Sequence, residues 1–149
     1  MTSGNRFCSV PFGKTLGLSL VVVLSGCASQ PRPTLLGTWK SDVERTLASM
    51  RATPGIPDAT RAALADDYYG HLIVEYRKKT MRAHFDDRKY DSGYQPYRVV
   101  ETAPGYVVTD DWNEVVGEFQ RTTTYFDAEC IYGLAPEYGF REYFCPLGR

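Results

Sequence analysis

A ten-residue apolar run near the start of this chain decides which of its residues can belong to a folded domain. Residues 15–24 read TLGLSLVVVL and carry no charge, and the stretch before them holds the bases Arg6 and Lys14 but no acid. A helix needs about 20 apolar residues to cross a bilayer, so this run is too short to span one. A basic start followed by a short apolar core is typical of a secretory signal peptide. We therefore expect the leader to be removed and only the later part of the chain to fold.

The apolar run ends in Leu24-Ser25-Gly26-Cys27, which resembles the lipobox of bacterial lipoproteins. The resemblance implies cleavage before Cys27 and attachment of diacylglycerol to its sulfur. Residues 1–26 are then the signal peptide, 27–34 a lipidated tether of extended, proline-containing chain, and 35–149 a single domain. Two alternatives stay open, namely an ordinary cleaved signal that happens to end at a cysteine, and an uncleaved anchor helix.

The residue after the acceptor cysteine bears on the membrane in which the protein resides. In lipoproteins of enteric bacteria an Asp at that position retains the protein in the inner membrane, whereas Ala28 stands here. The resemblance thus favours the outer membrane, with the domain on the periplasmic side. Lipoproteins of this kind acquire several acyl chains such as palmitate, and each buried CH₂ contributes about 0.8 kcal/mol, so the anchor would be permanent.

The charge of the mature part excludes one class of partner. The leader holds two of the 17 bases and none of the 18 acids, which leaves 15 bases against 18 acids and a formal net charge of −3. Because nucleic-acid affinity depends on clustered positive charge, we expect no nucleic-acid partner.

The cysteines predict one disulfide. Cys8 leaves with the signal peptide and Cys27 takes the lipid, so Cys130 and Cys145 form an even pair in an oxidising compartment. Pro136–Gly139 has the composition of a four-residue hairpin turn, and counting outward from it places the two cysteines opposite each other. Directly opposed residues have Cβ atoms about 4.5 to 5.5 Å apart, close to what a disulfide accepts. The alternative is a pair of free, buried thiols.

The order of secondary structure predicts the fold class. A short strand at residues 35–40 is followed by Ser41-Asp42-Val43-Glu44, whose S-x-x-E spacing predicts a helix that starts at Ser41. A second helix is expected from Asp58 to about Tyr68. Later runs rich in Val, Ile, Thr, Tyr and Phe predict strands. These strands are Leu72–Tyr76, Thr80–Phe85, Tyr97–Thr102, Tyr106–Thr109, Glu118–Tyr132 as one long or bent strand, and Phe140–Cys145. The prediction is a mainly β (α+β) domain with about seven antiparallel strands, as a curved sheet or small barrel with two short helices after the first strand.

A second resemblance concerns this domain. Gly37-Thr38-Trp39 resembles the G-x-W motif of the lipocalin and fatty-acid-binding (calycin) barrels, and in the fatty-acid-binding proteins two helices follow the first strand, as predicted here. The match covers three residues and the element order. It implies that Trp39 packs across the barrel base, that Arg141 is the nearest candidate to stack on it, and that a small apolar ligand could lie inside. About seven strands is fewer than the eight or ten of those families.

The sequence contains no recognisable catalytic set. We find no nucleophile elbow, zinc-protease motif or phosphate-binding glycine loop, and His71 and His84 lie in no metal-ligand spacing. We therefore expect no cofactor and no metal site, and an enzyme is the third-ranked hypothesis.

Aromatic residues supply the candidate binding site. The chain has 11 Tyr, 7 Phe and 2 Trp, mostly in the predicted strands, where such residues either bind ligands or fill the core. The first hypothesis is a carrier of a small apolar ligand, and the second is a protein-binding envelope module, such as an assembly factor or an inhibitor of a cell-wall enzyme. The candidate ligand-binding residues are Trp39, Tyr76, Phe85, Tyr97 and Tyr106.

Overall fold

A computed structural model of the chain describes residues 33–66 and 69–148. These residues belong to one compact unit, Pro31–Arg149. The predicted signal peptide, the predicted lipid acceptor Cys27 and most of the predicted tether lie outside the described residues. In the described part, no helix is long and apolar enough to cross a bilayer.

The described part is a closed antiparallel barrel of eight strands with two short helices. Each strand pairs with the next along the chain, and the last strand pairs with the first. The elements are β1 Gly37–Ser41, α1 Val43–Ala52, α2 Asp58–Ala65, β2 Leu72–Tyr76, β3 Thr80–Phe85, β4 Gln95–Ala103, β5 Tyr106–Asn113, β6 Glu118–Asp127, β7 Cys130–Leu134 and β8 Arg141–Pro146. The prediction of a mainly β domain with both helices after the first strand is confirmed.

The predicted strand number was one too low. The run predicted as a single strand, Glu118–Tyr132, is a hairpin in which β6 and β7 are antiparallel neighbours. The tight turn between them is made by Ala128 and Glu129, and Ala128 adopts a φ of 53°. Gly, Asn or Asp usually occupies such a left-handed position, so residues 127–130 show no recognisable turn pattern.

The start of α1 also differs from the prediction by one residue. Asp42 caps the helix, because its Oδ1 accepts a hydrogen bond of 3.0 Å from the backbone N–H of Arg45. Ser41 instead ends β1, where it pairs with Phe144, and its hydroxyl accepts a bond of 3.1 Å from the N–H of Gly70. Strand pairing therefore prevents Ser41 from acting as the predicted cap.

Helix α1 covers the part of β8 that β1 leaves unpaired. Beyond Ser41, the hydroxyl of Thr46 accepts a hydrogen bond of 3.0 Å from the N–H of Tyr143, and the hydroxyl of Ser49 accepts one of 2.8 Å from the N–H of Arg141. Both donors would otherwise lack a backbone partner, and an unpaired buried donor is costly. Two hydroxyl side chains thus attach the helix to the barrel wall.

Two apolar clusters stabilise this arrangement. The barrel interior holds Leu35, Trp39, Val107 and Ile131, with Tyr76, Phe126 and Phe144 packed against them. A second cluster joins the helices to the hairpin of β7 and β8, and it consists of Met50, Ile56, Tyr69 and Phe140. Closure of the barrel and docking of the helices therefore depend on separate sets of side chains.

The predicted register of the last hairpin is confirmed. Leu134 pairs with Arg141, Tyr132 pairs with Tyr143, and a disulfide joins Cys130 to Cys145. The disulfide links β7 to β8 next to the point where β8 pairs with β1.

Candidate ligand site

An open cavity of about 660 Å³ lies at the end of the barrel where β1 and β3 end and β2 and β8 begin. Leu72 of β2 pairs with Phe85 of β3, and Lys40, the residue before Ser41, pairs with Ile73, the residue after Leu72. The side chains of Ser41, Leu72 and Phe85 therefore lie on the same face of the sheet and reach the cavity together. Its wall is mostly apolar. Its lining includes Ser41, Leu72, Ala83, Phe85, Tyr90 and Glu142, and its rim carries His71, Asp87 and Lys89. We call this space the large chamber.

A second cavity of about 320 Å³ adjoins the first, and we call it the small chamber. Ala83 and Tyr90 line both chambers, so these two residues mark the boundary between them. The remaining wall of the small chamber comes from β3 to β6 and includes Met81, Gln95, Asp111 and Thr122. The barrel end thus offers two connected spaces with different linings.

Asp111 is one of two acids that line the small chamber, and the other is Glu114. Asp111 pairs with Tyr97 across β4 and β5, and burial raises the pKa of its carboxyl, while the nearby hydroxyls of Thr109 and Thr122 oppose that rise. Thr109 is 0 % exposed. Among residues 33–66 and 69–148, neither Oγ1 of Thr109 nor Oδ1 of Asp111 has a hydrogen-bond partner of normal geometry. The inner face of β5 therefore presents polar groups with unused hydrogen-bonding capacity.

Glu142 and Asp87 are the acids that line the large chamber, and Glu142 is the one without a paired base. Burial alone raises the pKa of the Glu142 carboxyl. The rim of the same chamber carries two bases, but Lys89 lies 2.8 Å from Asp87 and His71 lies 3.0 Å from Asp86. Within the described ranges, no hydrogen bond or ion pair joins the Glu142 side chain to a cation. The large chamber therefore combines an apolar wall with one unneutralised acid.

A row of tyrosines crosses the outer face of the barrel, which we call the tyrosine row. Tyr106, Tyr125, Tyr132 and Tyr143 occupy successive paired positions on β5 to β8, with ring centroids 5.1 to 6.2 Å apart. The guanidinium of Arg141 lies 4.7 Å from the centre of the Tyr132 ring. These rings pack on one another, outside the two chambers.

Comparison with known proteins gives no family for this barrel. The chain matches no family model, no curated protein and no solved structure. Its chemistry must therefore be inferred from its own residues. In the described ranges, no group of three His, Cys, Asp or Glu side chains is arranged to hold a metal ion.

Most of the predicted ligand-binding residues lie inside the barrel, but they do not form one surface. Trp39 and Tyr76 belong to the interior cluster, and the rings of Tyr76 and Tyr97 are 5.3 Å apart. Phe85 lines the large chamber. Tyr106 lies in the tyrosine row, where its hydroxyl donates a hydrogen bond of 2.6 Å to Glu101, away from the other four.

The stacking of Arg141 on Trp39 that the lipocalin resemblance implied is absent. Arg141 lies over Tyr132 and donates to the hydroxyl of Tyr143 at 3.2 Å. The indole N–H of Trp39 donates to the carbonyl of Leu35 at 2.8 Å. The first strand keeps its buried Trp, but the partner is the chain just before it.

Sequence reasoning missed the two acids and Tyr90. Asp111 was assigned to the segment after a strand, because β5 was predicted to end at Thr109. Glu142 could have been found, since the disulfide register places Cys145 and Tyr143 on one face of β8 and therefore Glu142 on the other. Tyr90 lies outside the strands, and strand periodicity carries no information about such a position.

Proposed function

We propose that this protein is a periplasmic lipoprotein, anchored to the outer membrane, whose lipocalin-like barrel binds a small apolar ligand. The observation that carries the proposal is the large chamber, an apolar-walled cavity of about 660 Å³ at the end of a closed barrel. Binding pockets for small molecules usually measure about 300 to 1,000 Å³ and combine an apolar lining with a few polar groups. The large chamber fits that description, because its wall is mostly apolar and includes the unneutralised Glu142.

The anchor is tested by replacing the lipid acceptor. In a bacterial host with an outer membrane, we expect labelled palmitate to be incorporated into the natural chain and the protein to fractionate with the outer membrane. Cys27→Ser should abolish both, because a hydroxyl does not take the diacylglycerol. Cys8→Ser, which also removes a leader thiol, is the matched control and should keep both. Label that persists in Cys27→Ser would contradict the anchor.

Ligand binding is tested by native mass spectrometry of the chain from Pro31 onward, the compact unit that contains every strand and its own core. We expect a co-purified small molecule on the natural sequence. Ala83→Trp should remove it, because Ala83 lines both chambers and an indole would fill their boundary. Ala59→Trp adds the same group on an exposed helix position and should keep the ligand. An adduct of equal intensity in Ala83→Trp would show that the ligand binds elsewhere.

The tyrosine row favours a second candidate, a protein-binding envelope module. Every strand of the closed barrel has two neighbouring strands, although β6 pairs with β7 only over Tyr125–Asp127, so such a module would use a surface patch rather than a whole edge strand. Tyrosine and arginine are enriched in binding hot spots. The row combines three partly exposed tyrosines, Tyr106, Tyr125 and Tyr132, with Arg141, whereas Tyr143 is buried. A natural-sequence protein that carries no small molecule but is crosslinked through Tyr132 to an envelope protein would support this candidate over the carrier.

A further inference from the structure

The two chambers differ from a simple apolar pocket because each contains an acid, Glu142 or Asp111, that forms no ion pair with another described residue. Glu142 lines the large chamber and Asp111 lines the small chamber. Among residues 33–66 and 69–148, the ion pairs near the barrel end join other groups, such as Lys89 with Asp87 and Arg82 with Glu75. Glu114 also lines the small chamber, and Asp87 of the large chamber is paired with Lys89, so the chambers carry a net negative charge when Glu142 and Asp111 are ionised.

Holding such carboxyls inside a protein is unfavourable unless something compensates. A buried carboxylate without a partner loses hydration, and proteins usually pair such a group or leave it protonated. In the part of the chain that the structure describes, neither acid forms an ion pair, and Lys89, which also lines the large chamber, pairs with Asp87. A positively charged group that enters with a ligand would supply the missing partner.

A second observation at the same barrel end points to a ligand with hydrogen-bond donors. Thr109 is fully buried on the same face of β5 as Asp111, and its Oγ1 has no partner in the described part of the chain. Oδ1 of Asp111 is also buried and unpartnered. Buried polar atoms nearly always have a hydrogen-bond partner. The hydroxyls of Thr109 and Thr122 lie near the Asp111 carboxyl, but Oδ1 of Asp111 can still accept a hydrogen bond of normal geometry from a ligand.

The aromatic wall of the large chamber fits the same kind of ligand. The rings of Phe85 and Tyr90 lie 5.6 Å apart and both line the chamber that contains Glu142. Aromatic faces attract cations electrostatically. An acid beside two aromatic rings is therefore suited to an ammonium group on an apolar body.

We propose that the barrel end binds an organic cation whose apolar body lies in the large chamber and whose protonated amine contacts Glu142. Asp111 adds a second negative charge. The inference rests on the proposed carrier function and names its ligand class. It predicts that the barrel selects its ligand by charge, because Glu142 would attract a protonated amine and repel a carboxylate of equal size. The mature chain as a whole is also negatively charged, which favours approach of a cation.

The experiment compares three probes that share a phenyl body: phenethylammonium, 2-phenylethanol and 3-phenylpropanoate. Calorimetric titration at neutral pH uses the chain from Pro31 onward, with the full-length chain in lipid nanodiscs alongside it. We expect the cation to bind at least about tenfold more tightly than the alcohol, as a charge-assisted hydrogen bond would give. The anion should bind more weakly than the alcohol.

Three variants assign the preference to these acids. Glu142→Gln should lower the affinity for phenethylammonium by about tenfold and leave that for 2-phenylethanol nearly unchanged. Asp111→Asn should act in the same direction with a smaller effect. Glu118→Gln removes an equal charge from an exposed position and should change neither affinity.

Loss of folding would not imitate this result. Burial raises the pKa of the Glu142 carboxyl, so the folded protein holds the carboxyl proton more tightly than the unfolded chain does. Loss of that proton at higher pH therefore lowers the stability of the folded protein. Glu142→Gln removes that cost and should melt at the same or a higher temperature at neutral pH. Equal binding of all three probes would overturn the cation proposal while the carrier stands, whereas failure of every probe together with no co-purified ligand would overturn the carrier itself.

Discussion

Replacing Phe140 with Ala is expected to lower the free energy of unfolding by about 3 to 5 kcal/mol. Phe140 is 2 % exposed and lies at the centre of the cluster that joins the helices to the hairpin of β7 and β8. Its ring meets the edge of Tyr69 at a centroid distance of 6.2 Å and packs with Met50 and Ile56. Truncation would leave a cavity among residues from three different segments, which cannot close it without moving the helices.

Urea unfolding followed by far-ultraviolet circular dichroism measures this loss. Phe119→Ala is the matched control, because it removes the same atoms at a position that is 40 % exposed on the outer face. We expect the control to cost less than half as much. Hydrogen exchange should also separate the two variants, with faster exchange in α1 and α2 for Phe140→Ala only. Equal losses in both variants would mean that the second cluster does not hold the helices.

The hairpin of β7 and β8 shows which features a sequence specifies locally. Pro136 and Gly139 fix a four-residue loop, and once the loop is fixed every cross-strand pair follows, including the two cysteines. Strands β2 and β3 were also predicted with the bounds they have, because apolar and polar residues alternate cleanly in both. Local turn chemistry and period-two alternation were sufficient for these elements.

Features that depend on distant pairing could not be predicted in the same way. Ser41 has the residue type and spacing of a helix cap, but it is held in β1 by Phe144, which lies more than 100 residues later in the chain. The turn at Ala128 uses a left-handed residue that is not Gly, Asn or Asp. Both errors arise where tertiary structure overrides a local preference.

The candidate site was only partly predictable for a related reason. Tyr106, Val107 and Val108 are consecutive apolar residues, so alternation alone does not say which of them faces inward, and the structure places Val107 inside and Tyr106 outside. Acids are normally assigned to the surface, which hid Asp111 and Glu142. Their position inside the barrel end follows only once β8 has closed on β1.

Removing the disulfide should lower the free energy of unfolding by about 3 kcal/mol, the value expected for a closed loop of about 15 residues. This loss is similar in size to the one expected for Phe140→Ala. Cys130 is 1 % exposed, and Cys145 pairs with Lys40 of β1 as well as with β7. The bridge thus holds together three strands at the place where the barrel closes. The Sγ of Cys145 also lies 3.4 Å from Asp42, which caps α1, so the start of the helix is positioned by the same strand.

The measurement compares the double variant Cys130→Ala and Cys145→Ala with the natural sequence, each with and without a thiol reductant, in the chain from Pro31 onward. The natural protein should lose about 3 kcal/mol on reduction, whereas the variant should already be weaker by that amount and should not respond to the reductant. The disulfide stabilises the barrel by restricting the unfolded chain, so its removal should not change the folded structure. The variant should therefore keep the barrel's circular dichroism spectrum at low temperature. An unchanged unfolding midpoint in the variant would show that pairing of β8 with β1 closes the barrel without the help of a covalent bond.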